Sequence, residues 1–368
     1  MKQLSALAAA IARLFLALEK RSATDSSDFR AQPSHIKSAS PSPPFDPFTA
    51  TMSELQTLLD SGVVTSEDLV NIYLAQIEKH NHHGMKLNAI ISTTPKDIVL
   101  AAARVLDQER RTLGKRGPLH GIPIVVKDNI CTPSVGLPTT CGSFALVGAT
   151  AIEDATITQR LLRAGALIIA KANMTEWANF KQSMMTSGWS AVGGQTPAGS
   201  SSGSAVAVAA GFAPISIATE SNGSIVYPAG RAALYDHPGQ EVIINATKNK
   251  LTAEEFAKYS TQIRETAANA VNSLLKKHDI NVIVGSSDSR LAGVAAAAGF
   301  PIGNVPLGFA EFNGRGIGLS VLAPAGHELA ILKFMSAWEK SLPSARAPPP
   351  MLVNWDEMVD GHDRGLKL

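Results

Sequence analysis

Cysteine is almost absent. Two residues, Cys131 and Cys141, stand in a chain of 368. They lie ten positions apart and neither belongs to a C-x-x-C pair, so a disulfide scaffold is excluded and the two read as shielded thiols. Metal-ligand spacing is missing too: no His and Cys residues cluster as a zinc site requires. The adjacent His82 and His83 sit in a polar turn, 79–84, and read as solvated. No sign of charge dominates. Lys and Arg number 33 against 31 Asp and Glu, a net charge of +2. That balance gives no electrostatic reason for a nucleic-acid partner and no acidic solvating tail. Charged residues make up only 17% of the chain, which argues against disorder, coiled coil and long exposed helices. Uninterrupted apolar runs of the roughly 18 residues that mark a membrane span are also missing.

What is present is core-forming sequence. Apolar residues reach 45%, enough for a sizeable core at this length. A soft divisor of about 150 residues per domain allows two domains or one large α/β domain. The ends differ from the middle. Residues 1–21 carry a broken apolar run with Lys2, Arg13, Lys20 and Arg21 and the single acid Glu19. That pattern fits a transit peptide or an ordinary short helix, and the expected location is cytoplasmic unless the segment is a targeting signal. Residues 22–44 are polar and rich in Ser and Pro, and 344–350 end in Pro-Pro-Pro; neither repays its ordering entropy. Three regions follow: an N-terminal helix and linker at 1–44, a folded domain at 45–343, and a tail at 344–368.

Within the folded region helix and strand signals alternate. Thr65 and Asp68 form a capping-box-like start, followed by Leu69, Ile72, Tyr73 and Ile77 at helical spacing. Strands are predicted at 121–126, 166–170, 280–284 and 317–322. Helices are predicted at 156–164, 291–298 and 328–339, with a further apolar helix at 204–210. The alternation implies an α/β class with a largely buried sheet.

Two small-residue turns and one lysine carry the chemistry. The turn 198–205 (AGSSSGSA) feeds directly into an apolar helix, so its N–H groups lie at a helix N-terminus. A second turn, 219–225 (TESNGSI), follows one apolar segment later. Together they can bring two hydroxyls and several N–H donors to one point. A phosphate loop is rejected because no Lys follows Gly203. A nucleophile elbow, G-x-S-x-G, is present at 199–203, but no strand precedes it, and only Asp288 and His327 follow in the required order. Lys127 closes the apolar run 122–126. It either pairs with the neighbouring Asp128 or serves as a desolvated base. Burial can bring a lysine from about 10.4 toward neutrality, where it can activate a serine.

Three blocks in order, 117–129 (GPLHGIPIVVKDN), 199–205 (GSSSGSA) and 218–229 (ATESNGSIVYPA), resemble the amidase signature family, as does a later block at 282–307. The likeness is greatest to fungal amidases that are similar to the amidase-type component of glutamyl-tRNA amidotransferase, and it covers about 45–343. It implies a mixed β-sheet core covered by helices and hydrolysis of a carboxamide through an acyl-enzyme. It also implies a Ser–Ser–Lys triad of Lys127, Ser200 and the nucleophile Ser224, without metal or cofactor. The implied oxyanion donors are the backbone N–H groups of Ser221, Asn222 and Gly223. A cis peptide bond before Ser200 is implied as well. The implied partner is a small amide substrate, with a homo-oligomer or an amidotransferase-like partner left open.

The sequence departs from the family at two places. Thr196 runs straight into Pro197, without the family's insert. After 231–235 the chain passes at once to 236–240 (DHPGQ), which resembles a segment found much later in the family. The expected fold is therefore an incomplete one, shortened near 236–237. Three alternatives to an active amidase stay open: a catalytically impaired remnant, a non-catalytic subunit, and an α/β-hydrolase esterase.

Overall fold

The first described helix, α1 (Met52–Asp60), begins at a capping box in which Thr51 and Glu54 satisfy each other's backbone N–H groups. The computed structural model describes residues 43–181, 186–196, 199–230, 252–309 and 316–342. The expected N-terminal helix, nearly all of the linker, the junction at 236–237 and the C-terminal tail lie outside the described residues.

Helix α2 (Ser66–His80) starts at the predicted box of Thr65 and Asp68 and buries Leu69, Val70, Tyr73 and Ile77. Strand β1 (Ile90–Thr93) and helix α3 (Lys96–Thr112) follow. Strand β2 (Pro123–Lys127), helix α4 (Thr156–Arg163) and strand β3 (Leu167–Ala172) come next. The short strands β4 (Trp189–Ser190) and β5 (Gly194–Gln195) pair with each other. Helix α5 (Ser202–Ala209) and strand β6 (Ile215–Ile217) complete this part.

The principal sheet has the order β1-β3-β2-β6. Strands β3, β2 and β6 run parallel, and β1 is antiparallel to β3. Every residue of β2 and β3 is buried. That explains why they are apolar but for Lys127 and Lys171, since helices cover both faces of a parallel sheet. Ile122, Ile124, Val125, Val126, Ile168 and Ile169 join Leu55, Leu69 and Tyr73 in one core. Full burial of each such aliphatic side chain contributes about 1.5–3 kcal/mol.

The later strands do not extend this sheet. After α6 (Val226–Gly230) and the long helix α7 (Ala253–His278) come β7 (Ile283–Ser286), α8 (Leu291–Ala298), β8 (Ile302–Phe309), β9 (Gly316–Leu322) and α9 (Glu328–Ser341). The last three strands form a separate antiparallel sheet, β7-β9-β8. Helices α7 and α8 pack against it through Val271, Leu275, Ala295 and Leu322. Helix α6 touches both β8 and β9, so the second small-residue turn leads into this layer. Among the described residues no helix is long and apolar enough to cross a membrane.

Candidate active site

Lys127 is the last residue of β2 and has no exposed surface. Its Nζ lies 2.8 Å from Ser200 Oγ and donates to the Thr219 carbonyl at 3.1 Å. Burial pushes its pKa down from 10.5 to about 7, against the opposing pull of Glu220 and Cys141. The lysine is thus poised to exchange a proton near neutrality. The next two residues are committed as well. Asn129 donates to the Thr219 hydroxyl at 2.9 Å.

Ser200 sits in the first small-residue turn, at 1% exposure. Gly199 takes φ +109°, and a Cβ there would lie 2.5 Å from the ring of Pro228. Among the described residues no peptide bond is cis, the one before Ser200 included. The expectation of a cis bond is corrected: the turn is made by the left-handed glycine, a conformation that only a residue without Cβ adopts freely. Thr175 fixes the turn from outside. Its N–H donates to the Ser200 carbonyl at 3.1 Å, and its hydroxyl to the Gly199 carbonyl at 3.0 Å. Gly203 opens the way into α5 by close approach: a Cβ there would meet backbone atoms of Asn173 and Ala89 at 2.4–2.5 Å.

Ser224 lies in the second turn, which the Ser201 N–H ties to the first by donating to the Ser224 carbonyl at 2.9 Å. Ser224 is half-buried, and among the described residues its hydroxyl makes no hydrogen bond. The Glu220 carboxylate organises this turn by accepting from the N–H groups of Gly223, Ile225 and Val226 at 2.6–2.9 Å. Gly223 therefore already donates to a side chain. Ser221 and Asn222 are exposed. Their N–H groups have no acceptor among the described residues.

Three contributors were not legible as site residues. Asp128 does not pair with Lys127, as one reading of the sequence had it; it faces Lys171, Oδ1 to Nζ 3.9 Å. Asp128 continues the extended chain one residue past β2, its N–H on the Ala172 carbonyl, so the two neighbours face opposite ways. Asp128 Oδ2 accepts from Thr140 N at 3.1 Å, Thr140 Oγ1 at 2.5 Å and Gly142 N at 3.0 Å. Lys171 donates to the Ile130 carbonyl and to Thr139 Oγ1. Burial lowers the Lys171 pKa to about 8 and raises that of Asp128. Thr219 is the third: its carbonyl accepts both Lys127 and Ser201 Oγ. A second buried lysine inside an apolar strand was the one available signal.

The elbow alternative is not assembled. Ser201 is buried with its hydroxyl on Thr219, whereas Asp288 and His327 are exposed and the His327 ring contacts the Ala325 carbonyl. Cys131 and Cys141 are free, and His82 and His83 are exposed, as expected.

This is an α/β protein with a desolvated lysine bonded to a serine, a histidine-free arrangement suited to activating a serine nucleophile. Residues 68–235 match the amidase family. A Schizosaccharomyces pombe protein that bears an amidase name is 40% identical over 191 residues, 50% of this chain and 32% of that protein. A component of the glutamyl-tRNA(Gln) amidotransferase of Chloroflexus aurantiacus is 40% identical over 185 residues, 49% of this chain and 36% of that one. The aligned stretch thus spans about a third of the length of these curated relatives. Among solved structures, peptide amidase from Stenotrophomonas maltophilia superposes with a TM-score of 0.74 at 24% identity, covering 81% of this chain and 98% of that chain. An amidase family protein from Bacillus anthracis gives 0.74 at 25% identity, covering 82% and 92%. The fold is that of the amidase-signature enzymes.

Proposed function

We propose that the protein hydrolyses a carboxamide C–N bond, with Ser224 as nucleophile, Ser200 as proton bridge and Lys127 as base. The observation that carries this is the 2.8 Å contact of a desolvated Lys127 with Ser200, in a turn hydrogen-bonded to the backbone of Ser224. Neutral Lys127 accepts the Ser200 proton while Ser200 takes that of Ser224. The Ser224 oxygen attacks the amide carbonyl. The N–H groups of Ser221 and Asn222 are free to stabilise the oxyanion, each such donor being worth about 2.7–4 kcal/mol of barrier. Gly223 joins them by exchanging its bond to Glu220. The proton returns through Ser200 to the leaving amine, and water cleaves the ester. Ser200 and Ser224 are not hydrogen-bonded in the free protein; catalytic hydrogen bonds commonly tighten only when substrate is bound.

Ammonia release from small primary carboxamides by the purified full chain tests the reading. Turnover that persists unchanged in both Ser224→Ala and Lys127→Ala proteins sinks it. The free Ser224 hydroxyl and the short alignment with the relatives favour one second reading, an impaired remnant or a non-catalytic subunit. Covalent labelling of Ser224 by a fluorophosphonate, with a cooperative thermal transition, contradicts that second reading.

A further inference from the structure

The long helix α7 carries an apolar face left open among the described residues. Its buried side, Val271 and Leu275, packs on the second sheet. A second set, Phe256, Tyr259, Ile263, Ala267, Ala270 and Leu274, recurs at intervals of three and four residues. At about 3.6 residues per turn these six form one stripe, roughly 100° around the helix from Val271 and Leu275. The stripe runs for about 27 Å at a rise of about 1.5 Å per residue. Its four large members, Phe256, Tyr259, Ile263 and Leu274, are 44–66% exposed. Contiguous apolar surface of this extent is rare on a monomer and marks an interaction site.

Charge says what covers it. The first turn of α7 holds Glu254 and Glu255, and the last holds Lys276, Lys277 and His278. A helix laid antiparallel along the stripe meets opposite charge at both ends only if it runs from acidic to basic in the same way. A second copy of α7 does so by construction, whereas a parallel copy sets like charge on like. Antiparallel pairing also opposes the two helix dipoles favourably. A two-fold axis level with position 265 makes every contact reciprocal. Phe256 then meets Leu274 of the second copy, Tyr259 meets Ala270, and Ile263 meets Ala267, so bulky side chains face small ones along the centre. Glu255 and Lys277 flank the same edge of the stripe, and antiparallel pairing brings like edges together. Each Glu255 thus stands opposite Lys277 of the second copy. Its carboxylate is already steadied, because Oε2 accepts from the Thr252 N–H at 2.9 Å.

We propose that α7 is the self-association surface of this protein, two copies pairing antiparallel along the stripe about a two-fold axis. The proposal is independent of the proposed amide hydrolysis.

Sedimentation velocity of the full chain tests it. Monomer is expected to pass to dimer between about 1 and about 100 μM. Ile263→Asp, at the centre of the stripe, is expected to weaken the dimer at least about tenfold. Glu255→Lys and Lys277→Glu each set like charges opposite one another in a homodimer, and each is expected to weaken it about threefold or more. Mixed in equal amounts, the two variants pair opposite charges at both ends, and a heterodimer of near the original affinity is expected. Mixing does not repair the Thr252 cap that Glu255→Lys loses, so recovery reports the pairing itself. All three positions are exposed, so the variants are expected to fold, as circular dichroism will check. A chain that stays monomeric throughout that range, its stripe covered by another part of the chain or reserved for a different protein, overturns the proposal. A dimer indifferent to Ile263→Asp overturns it, as do charge variants that mixing does not rescue.

Discussion

Lys127 Nζ stands 2.8 Å from Ser200 Oγ, although 73 positions separate the two residues along the chain. The contact exists because a buried parallel strand ends where a small-residue turn enters a helix. The heavy-atom distance serves both protonation states. A charged Lys127 donates to the hydroxyl, and a neutral one accepts from it. Only the second direction activates a serine.

The rate should therefore rise with pH. Lys127 titrates at about 7 in the folded protein. Carboxamide kcat/KM is expected to climb through about pH 7 and level off above it. Lys127→Arg, which stays protonated, should be inactive at every pH where the protein is folded. Stability carries the same signature. The folded pKa lies below the ordinary 10.5, so the unfolded chain holds more protons between about 7 and 10.5, and stability rises with pH across that window. Urea unfolding of the protein beside Lys127→Met, at pH 6.5 and 9.5, should show the methionine variant's advantage shrinking at the higher pH. An advantage that grows with pH contradicts the desolvated base.

Ser224 should be the residue modified by a fluorophosphonate, read by mass spectrometry of the labelled peptide. Ser224→Ala should take up no label there. Ser200→Ala should keep the nucleophile but lose the proton bridge, slowing labelling and turnover by roughly 10²–10⁴-fold, the usual contribution of a positioned acid–base group. Label found on Ser201 instead would revive the elbow reading.

The parts of this site that were legible in the sequence are those whose local pattern suffices. Residues 121–126 read as a buried strand because they form a short apolar, β-branched run, and the structure places β2 at Pro123–Lys127. The predicted helix 291–298 and strand 317–322 likewise match Leu291–Ala298 and Gly316–Leu322. Strand β8 escaped because Gly303, Pro306 and Gly308 break its alternation. Helix α7 was missed because the low share of charged residues argued against long exposed helices; that expectation is corrected, since α7 is exposed over most of its length, Phe256, Tyr259 and Ile263 included, and buries only Val271 and Leu275. The partnership of Asp128 with Lys171 was invisible for a different reason. Adjacent residues on a strand face opposite ways, so the partner of Asp128 is set by sheet register, which places Val126 beside Lys171.

That buried pair should hold the loop after β2 in place. Lys171→Met removes the charge and the donors that reach Ile130 and Thr139. It leaves Asp128 buried beside a vacant partner, and breaking a buried pair from one side costs about 3–5 kcal/mol. The double variant Lys171→Met with Asp128→Asn keeps an acceptor for Thr140 and Gly142 and removes both charges. It should recover part of that loss. Urea denaturation of the single variants and the double variant measures the coupling, and strictly additive losses would argue that the 3.9 Å pair carries no interaction of its own.

Glu220 should tune the site without touching the substrate. Its carboxylate holds the N–H groups of Gly223, Ile225 and Val226, and its charge raises the Lys127 pKa against the lowering caused by burial. Glu220→Gln removes that charge, so Lys127 should titrate below about 7 and the acid limb of the rate profile should move to lower pH. The glutamine carbonyl can still accept from the start of α6. Its amide nitrogen, a donor, cannot accept from Gly223, so that N–H is released toward the substrate side of the turn. The limb shift reports the lost charge, and any change in the plateau rate reports the freed donor. A pH–rate profile of Glu220→Gln separates the two. A limb that stays in place or moves upward would show that Glu220 does not govern the lysine.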